Sequence, residues 1–393
     1  MIQPTSRNVL SLGLAQLLAW GSTYYLPAML ALPMGRDLGL SNSVVFSAFS
    51  WALIVSALLG PAAGSAIDRY GGRRILMLSS GLFAAGLGLM SQADGLVLLL
   101  LAWTLIGIGM AGGLYEGAFA TIVQLYGRHA RGPITGVTLL GGLASTVGWP
   151  LSAWLDLNFG WRQACLCWAA IHLLINLPLY SVVTRPAEQV EPAESGPERL
   201  QDEGGTLAPT QQIRAAVLLS LIFALTWFIS TAMAAHLPRL LQAQGIGLGT
   251  ALLLGSLIGP AQVAGRLLEY TVLRHVHPLL SARLAGAMHP LGAVVFLLTG
   301  APLGALFAVL HGAGNGILTI AKGVLPLVLF GPQGYGLRQG LLMVPARFAQ
   351  ALAPLAFALA LDHWGGQALW LSAALGGLCL CALLALPTPK RKT

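Results

Sequence analysis

The sequence predicts an all-α polytopic membrane protein whose twelve transmembrane helices form two pseudo-symmetric six-helix bundles. Of its 393 residues, 56% are apolar and only 9% are charged, whereas soluble domains are about 25% charged. A membrane-spanning helix needs about 20 mostly apolar residues, so twelve such helices fit the chain with short connections. This composition excludes an ordinary soluble enzyme.

Apolar runs between charges and turn residues define the twelve spans. The first run is long enough to cross a membrane and has no short apolar core followed by a cleavage site, so no cleavable signal peptide is expected. The first six spans are 9–32, 43–66, 75–93, 96–125, 134–155 and 163–183. The second six are 213–235, 249–272, 282–300, 303–329, 340–361 and 367–387.

The distribution of Lys and Arg between the loops predicts the orientation. With a cytoplasmic amino terminus, the outer side holds only Arg36, Arg162 and Arg239. The inner side holds Arg7, Arg69, Arg73, Arg74, Arg128, Arg131, Arg185, Arg199, Arg214, Arg274, Arg283, Arg338, Lys390, Arg391 and Lys392. This excess predicts that both termini are cytoplasmic in a multi-pass protein of the cell inner membrane. The net charge of +8 therefore reflects topology and contact with the lipid bilayer, not nucleic-acid binding.

The composition changes between the sixth and seventh spans. The acids Glu188, Glu191, Glu194, Glu198, Asp202 and Glu203 and the prolines Pro186, Pro192, Pro197 and Pro209 all lie there. With almost nothing apolar to bury, the stretch predicts a flexible cytoplasmic linker at 185–212. It separates an amino-terminal bundle at 1–184 from a carboxy-terminal bundle at 213–393. A regulatory docking role is the alternative for the linker.

The two halves repeat the same marks at nearly equal spacing. The tetrapeptide 59–62, Leu-Gly-Pro-Ala, recurs as Ile-Gly-Pro-Ala at 258–261. Two glycines in span 4, a glycine after it and a proline in span 5 also recur. They are Gly107, Gly109, Gly127 and Pro150 in the first half and Gly312, Gly314, Gly331 and Pro354 in the second. Such parallel duplication is typical of transporters whose two halves move about a central site.

The first short cytoplasmic loop carries the most informative motif. It reads Gly-Ser-Ala-Ile-Asp-Arg-Tyr-Gly-Gly-Arg-Arg-Ile-Leu over 64–76, and it resembles the loop signature of the major facilitator superfamily. The matching residues are Gly64, Asp68, Arg69, Gly71, Arg73 and Leu76, and the departures are Ala66, Ile67 and Gly72. The resemblance implies two six-helix bundles, alternating access and a gating role for Gly64, Asp68, Arg69 and Arg73. The alternative is that the charges only set topology.

Two further signatures of the superfamily are incomplete. Span 4 has Trp103 where the resemblance implies an intramembrane Arg that relays protons. In span 5, Gly148-Trp149-Pro150 resembles the Gly-Pro hinge of antiporters, but Trp149 interrupts it. The resemblance implies a gating role for Gly148 and Pro150. Because Trp149 interrupts the motif, no transport direction follows from it.

Four ionisable residues stand out deep within spans, where a charge is costly and marks a functional site by default. Glu116, Arg266, Lys322 and Arg347 all lie about 12 to 18 Å above the inner boundary at about 1.5 Å per residue. Three cations against one acid predict an anionic substrate, with Arg266 holding a carboxylate. The resemblance to monocarboxylate and oxalate carriers implies the same for an Arg in span 8. Glu116 is predicted to carry a coupling proton and to pair with Lys322 in the empty cavity.

Polar residues at helical spacing indicate the faces that line this cavity. They are His311, Asn315, Thr319 and Lys322 in span 10, Gln16, Trp20, Thr23 and Tyr24 in span 1, and Trp227, Ser230 and Thr231 in span 7. The resemblance implies that spans 1, 4, 7 and 10 line the substrate path. Structural roles are the alternative: Arg266 pairs with Glu269, Arg347 binds helix-terminal carbonyls, the histidines are hydrogen-bonded in the core and the aromatics only pack.

These residues predict a secondary transporter of a small organic anion such as a carboxylate, one that couples to protons and acts as a monomer. A proton-driven exporter of hydrophobic or cationic compounds is the alternative, and a receptor or membrane enzyme with the same fold is a third. No catalytic residues, cofactor or metal site is expected, because no nucleophile set, phosphate loop or zinc spacing occurs. The four cysteines lie in apolar runs and predict no disulfide.

Overall fold

The computed structural model describes residues 4–184 and 209–387, which are helical apart from turns and contain no strand. The first half contains α1 (Pro4–Ser22), α2 (Leu26–Leu38), α3 (Asn42–Tyr70), α4 (Gly72–Ser91), α5 (Leu96–Gly113), α6 (Tyr115–Tyr126), α7 (Arg131–Gly141), α8 (Ala144–Phe159), α9 (Trp161–Ile171) and α10 (Leu177–Ser181). The second contains α11 (Pro209–Ala243), α12 (Leu248–Ser256), α13 (Ile258–Thr271), α14 (Pro278–Thr299), α15 (Gly304–Phe330), α16 (Tyr335–Trp364) and α17 (Leu369–Ala385).

Several predicted spans consist of two helices in sequence. Span 1 is interrupted between α1 and α2, span 4 between α5 and α6, span 5 between α7 and α8, and span 8 between α12 and α13. In span 6, α9 and α10 are joined by a π-helical turn at His172–Asn176. Irregular backbone at membrane depth is tolerated where protein or a water-filled cavity surrounds it. The interruption of span 4 fits this rule, because Leu114 is fully buried, whereas Leu257 at the interruption of span 8 is 36% exposed.

Nine stretches of the described residues are long and apolar enough to cross a membrane. Two of them, Leu96–Phe159 and Tyr335–Ala385, each contain two predicted spans. The nine stretches therefore account for eleven of the twelve predicted spans. The remaining one is span 1, which is divided into helices of 19 and 13 residues.

The described residues separate into two compact units. Unit 1 consists of 4–184, 209–212 and 326–341, and unit 2 of 213–325 and 342–387. The segment 326–341 contains the end of α15 and the first turns of α16. The predicted domain limits stay a prediction, because most of the linker, 185–208, lies outside the described residues, as do Lys390, Arg391 and Lys392.

The repeated glycines have the same packing role in both units. A Cβ on Gly107 of α5 would lie 2.6 Å from the Ala52 carbonyl oxygen on α3, and a Cβ on Gly312 of α15 would lie 2.7 Å from the Ile258 carbonyl oxygen on α13. Only glycine permits these close helix approaches. Span 4 therefore packs on span 2 as span 10 packs on span 8.

The repeated Gly-Pro tetrapeptides are packed differently. Pro61 lies inside the continuous helix α3, and its neighbour Gly60 packs against Gly340. Pro260 lies in the first turn of α13, where proline is well tolerated because its missing N–H has no intrahelical acceptor, and an added Cβ on Gly259 would contact nothing within 4 Å.

The core of unit 2 is formed by apolar and aromatic side chains from α11, α14, α15, α16 and α17. Phe296 and Phe307 stack with ring centroids 5.5 Å apart, and Phe357 is fully buried beside them in the same cluster. Phe307 also stacks on His311, with ring centroids 6.1 Å apart. The cluster therefore reaches the first residue of the predicted polar face of α15.

Candidate functional site

The three predicted cations all belong to unit 2, and all are buried. Arg266 and Lys322 are 5% exposed and Arg347 is 3% exposed. The Lys322 Nζ lies 4.2 Å from the centroid of the Trp227 ring, and the Arg347 guanidinium carbon lies 5.5 Å from it. A cation over an indole gains about 2 kcal/mol when water is excluded. Trp227 thus holds two positive charges within about 10 Å of each other.

The third cation, Arg266, has buried donors without acceptors. Its Nε and Nη1 atoms have no hydrogen-bond acceptor within the described residues. Glu269, one turn further along α13, accepts a hydrogen bond from the Ser281 hydroxyl on α14 rather than from these two atoms. An unsatisfied buried charged donor costs more than a lost neutral hydrogen bond. Arg266 therefore has the property required of a binding residue for an anion.

The predicted polar face of α15 is tied to α11 by a hydrogen bond. The Asn315 side-chain amide donates to the Ser230 hydroxyl at 3.0 Å, and the Thr319 hydroxyl donates to the Asn315 carbonyl at 2.8 Å. Asn315 and Thr319 are half-buried. Arg347 on α16 donates to the Gln350 side chain at 3.0 Å. Helices α11, α15 and α16 thus each contribute polar side chains to unit 2.

Glu116 lies beside the interruption of span 4 in unit 1. Leu114 has an extended backbone between α5 and α6, and a Cβ on Gly117 would lie 1.8 Å from the Gly112 carbonyl oxygen. Glu116 is therefore in the first turn of α6, where the partial positive charge of the helix favours a carboxylate. It is half-buried and close enough to the Tyr335 hydroxyl for an electrostatic interaction. Its predicted pairing with Lys322 joins residues of different units and stays a prediction.

Gln16 stabilises the same interruption. It is fully buried, and its side-chain amide donates to the Gly113 carbonyl at 2.8 Å and to the Tyr180 hydroxyl at 3.3 Å. Helix α5 ends at Gly113, so the Gly113 carbonyl has no N–H donor from a following turn of the same helix. The Gln16 amide supplies a donor in its place. Gln16 therefore positions the backbone next to Glu116, and its predicted contact with substrate stays a prediction.

Aromatic rings form a continuous cluster in unit 1. The Trp20 ring centroid lies 5.2 Å from that of Tyr24 and 5.0 Å from that of Tyr115. Tyr24 in turn contacts Phe49 at 5.6 Å, and Phe49 contacts Trp103 at 5.3 Å. Trp20 is 3% exposed, whereas Tyr24 is half-buried. The cluster connects spans 1, 2 and 4, and it gives Trp103 a packing role.

The loop residue Asp68 binds the amino terminus of α16. Its Oδ1 accepts from the Gly336 N–H at 2.9 Å and its Oδ2 from the Leu337 N–H at 2.8 Å. Unsatisfied N–H groups at a helix start and the helix dipole both favour a carboxylate there. Arg338 is close enough to Asp68 for an additional electrostatic attraction. All of these residues belong to unit 1.

The other predicted gating residues of the loop differ in their contacts. A Cβ on Gly64 would lie 2.0 Å from the Gly336 carbonyl oxygen. The Arg69 guanidinium lies 5.2 Å from the centroid of the Tyr70 ring, and Arg73 donates to the Val183 carbonyl at 3.4 Å. Gly64 thus permits the contact that Asp68 makes, whereas Arg69 and Arg73 bind elsewhere in unit 1.

Gly148 and Pro150 both lie in α8 but have different surroundings. A Cβ on Gly148 would lie 2.8 Å from the Cα of Gly21, so Gly148 permits the close approach of α8 and α1. Pro150 is exposed on the surface of unit 1, and the neighbouring Trp149 contacts Tyr25 with ring centroids 5.8 Å apart. The gating role of both residues stays a prediction.

Comparison with known proteins decides the family. The sequence model of the Major Facilitator Superfamily matches residues 12–321. The chain belongs to the Major Facilitator Superfamily. This finding confirms the predicted family and fold class and shows a multi-span membrane protein of a transporter family. The human organic anion transporter MFSD10 has the same fold, with a TM-score of 0.74 at 17% identity over 98% of this chain and 100% of that one.

Relatives of this superfamily member carry different names. An uncharacterized 38 kDa protein in the 23S RNA operon of Thermoproteus tenax is 31% identical over 94% of this chain and 92% of its own length. A multidrug resistance protein B homolog of Mycobacterium tuberculosis is 32% identical over 36% of this chain and 25% of its own. A probable 4-methylmuconolactone transporter of Cupriavidus pinatubonensis is 36% identical over 32% of this chain and 30% of its own.

Two features of this superfamily member were not predicted from its sequence. Gly336 and Gly340 on α16 face Gly64 and Gly60 on α3, and the spacing of four residues in both pairs is a small-residue packing signal that was available in the sequence. His289 in α14 is hydrogen-bonded to His311, and nothing in the sequence indicated that pairing. Within the described residues no cluster of three or more His, Cys, Asp or Glu could hold a metal ion.

Proposed function

We propose that the chain is a secondary transporter that moves a small organic anion by alternating access. One observation carries the proposal: Arg266 is 5% exposed, and two of its guanidinium nitrogens have no acceptor within the described residues. A carboxylate is the acceptor whose geometry and charge suit a guanidinium. The substrate carboxylate binds to Arg266, and the transported compound is a monocarboxylate or a related organic acid.

The charge balance of unit 2 supports an anion. Arg266, Lys322 and Arg347 are buried cations, and Glu269 is a buried acid that accepts from Ser281. The positive charges of Lys322 and Arg347 beside Trp227 add to the attraction of unit 2 for an anion. Glu116 in unit 1 carries a coupling proton, and Asp68 with Gly64 closes the inner side. The protein lies in the inner membrane with both termini in the cytoplasm and acts as a monomer.

The test uses ligands that share one organic body and differ in charge. Purified protein is screened by thermal shift with organic acids, the neutral amide of each acid and the corresponding amine. We expect acids alone to raise the melting temperature, and the Arg266→Gln variant to lose that response. The Arg239→Gln variant is the matched control, because Arg239 is half-exposed and paired with Asp362. A shift caused by the amines but not by the acids would overturn the anion assignment.

Transport assays then test the role of Glu116. In proteoliposomes, the Glu116→Gln variant should retain acid binding and counterflow but lose accumulation driven by a pH gradient. Counterflow exchanges substrate across the membrane without net proton movement, so it separates substrate binding from proton coupling. Unchanged gradient-driven accumulation in Glu116→Gln would remove Glu116 from the coupling step.

An exporter of hydrophobic or cationic compounds is the second candidate. The aromatic cluster around Trp20 in unit 1 favours it, because aromatic faces bind cations and apolar bodies. The name of the multidrug resistance relative points to the same class, over a quarter of that protein's length. In this case Glu116 binds the cation, and Glu116→Gln should abolish the thermal shift caused by amines.

A further inference from the structure

Two buried histidines are hydrogen-bonded to each other in unit 2. The Nδ1 of His289 on α14 and the Nδ1 of His311 on α15 are 2.9 Å apart. The two residues are 8% and 4% exposed. A hydrogen bond between two Nδ1 atoms requires a proton on one of them and a lone pair on the other. The pair therefore shares one proton between its rings.

The contact of His289 with Ser372 on α17 assigns the direction of that hydrogen bond. The Ser372 hydroxyl donates to the Leu369 carbonyl at 3.0 Å, and its oxygen is 3.3 Å from the His289 Nε2. Because the only hydroxyl proton is used, Ser372 accepts from the His289 Nε2–H. Neutral His289 then has its lone pair on Nδ1, and His311 donates its Nδ1–H to it. The second nitrogen of His311, Nε2, is left with a lone pair.

A small cavity adjoins this pair. Its volume is about 30 Å³, and its lining includes His289, His311, Asn315, Thr226, Ser230 and Cys379. A volume of this size accommodates one or two water molecules. Within the described residues the Nε2 of His311 forms no hydrogen bond, so it is available to a donor in the cavity.

We propose that the His289–His311 pair is a proton-binding site that is loaded from this cavity through His311. An incoming proton binds to the Nε2 of His311, and the proton on the Nδ1 of His311 passes to the Nδ1 of His289. His289 becomes an imidazolium that donates to both His311 and Ser372. No heavy atom has to move. The hydrogen bonds of His289 to His311 and to Ser372 keep the same two partners, and only the hydrogen bond between the two histidines reverses its donor and acceptor.

The groups around the pair are compatible with this role. Cys379 of α17 is the other titratable side chain in the cavity lining, and Lys322 of α15 is close enough to Cys379 for an electrostatic interaction. Helix α11 contributes the hydroxyls of Thr226 and Ser230 to the lining. Asn315, which belongs to the polar face of α15, also lines the cavity and donates a hydrogen bond to Ser230 there. The site thus lies next to residues predicted to line the substrate path.

The inference goes beyond the proposed function, because it places a second proton site in unit 2, whereas Glu116 lies in unit 1. It rests on the proposed function only for its part in transport. Proton binding itself is measured on the purified protein without any substrate. Loss of the acid response in Arg266→Gln and loss of proton uptake by the pair are therefore separate results.

The experiment counts protons taken up by the full-length protein when the pH falls from about 8 to about 5, the range in which histidines titrate. We expect the double variant, His289→Asn with His311→Asn, to take up one proton fewer than the native protein, because the pair binds a single proton. Each single variant keeps one histidine of the pair, so it should lose at most one proton. His172→Asn is the matched control, since His172 is a fully buried histidine that contacts Ser22 in unit 1 and should not change the uptake of the pair.

A second measurement does not depend on the variants folding. In native protein labelled with ¹⁵N-histidine, the ring nitrogen signals of the two residues should change together with one midpoint. Two independent midpoints, or a double variant that takes up two protons fewer, would show two separate histidines and overturn the inference. Uptake by all three variants equal to that of the native protein would overturn it as well.

Discussion

The contact between α3 and α16 within unit 1 allows a quantitative prediction for Gly64→Ala. The added Cβ would lie 2.0 Å from the Gly336 carbonyl oxygen. Non-bonded heavy atoms are in contact at about 3.5 Å, so the two helices must separate by about 1.5 Å. The hydrogen bonds from Gly336 and Leu337 to Asp68, at 2.9 and 2.8 Å, then exceed the hydrogen-bonding distance.

The energetic effect follows from those two hydrogen bonds. A hydrogen bond to a charged group contributes about 1.5 to 3 kcal/mol. Asp68 is half-buried, so the lower limit applies to each, and the contact loses about 3 kcal/mol. At 1.4 kcal/mol for each factor of ten, the equilibrium between the joined and separated forms of this contact changes by about 100-fold.

The assay measures the distance between spin labels at Leu78 on α4 and Leu341 on α16, which are 61% and 55% exposed. Pulsed electron paramagnetic resonance should detect a second, longer distance in Gly64→Ala. Asp68→Asn should produce the same longer distance, because the amide cannot accept both hydrogen bonds with the strength of a carboxylate.

The matched control is Gly81→Ala on α4, where an added Cβ contacts nothing within 4 Å. Its distance distribution should equal that of the native protein. If Gly64→Ala and Gly81→Ala give the same distribution, the steric argument is refuted. If Gly64→Ala separates the helices and Asp68→Asn does not, glycine packing alone holds the contact and the carboxylate contributes nothing.

Two further predictions concern unit 2. Trp227→Leu should lower the melting temperature, since Lys322 loses an aromatic face worth about 2 kcal/mol, and Trp227→Phe should retain part of that stability. Gly312→Ala should lower the melting temperature by several degrees or prevent folding, because its Cβ would lie 2.7 Å from the Ile258 carbonyl oxygen. Gly259→Ala is the control and should have little effect, because its Cβ would have no neighbour within 4 Å. Thermal unfolding monitored by tryptophan fluorescence checks both, and equal melting temperatures for the two alanine variants would contradict the packing argument.

The burial of several candidate residues could be predicted because a charge in a membrane span has few structural explanations. Arg266, Lys322 and Arg347 were identified this way, and the structure buries all three within one unit. The resemblance to a known loop signature likewise led to Asp68, which binds a helix amino terminus. These signals are local in sequence, since they depend on single residues or on short spacings.

Other parts of the site depend on contacts between distant residues. Gln16 was predicted as a cavity residue from helical periodicity, but it donates to Gly113, 97 positions further along the chain, and to Tyr180. Periodicity gives the face of a helix and does not give the neighbour that the face meets. His289 had no periodic partner in its own span, so its hydrogen bond to His311 could not be inferred.

The sequence by itself determined the membrane environment, the approximate spans and the family, because these follow from the apolar content, the lengths of apolar runs and one loop motif. The tertiary structure decided which polar groups are satisfied. Asp68 has two N–H donors, whereas two nitrogens of Arg266 have no acceptor within the described residues. Hydrogen bonding requires atoms within about 3 Å, and only the folded chain brings residues far apart in sequence to that distance or keeps them from it.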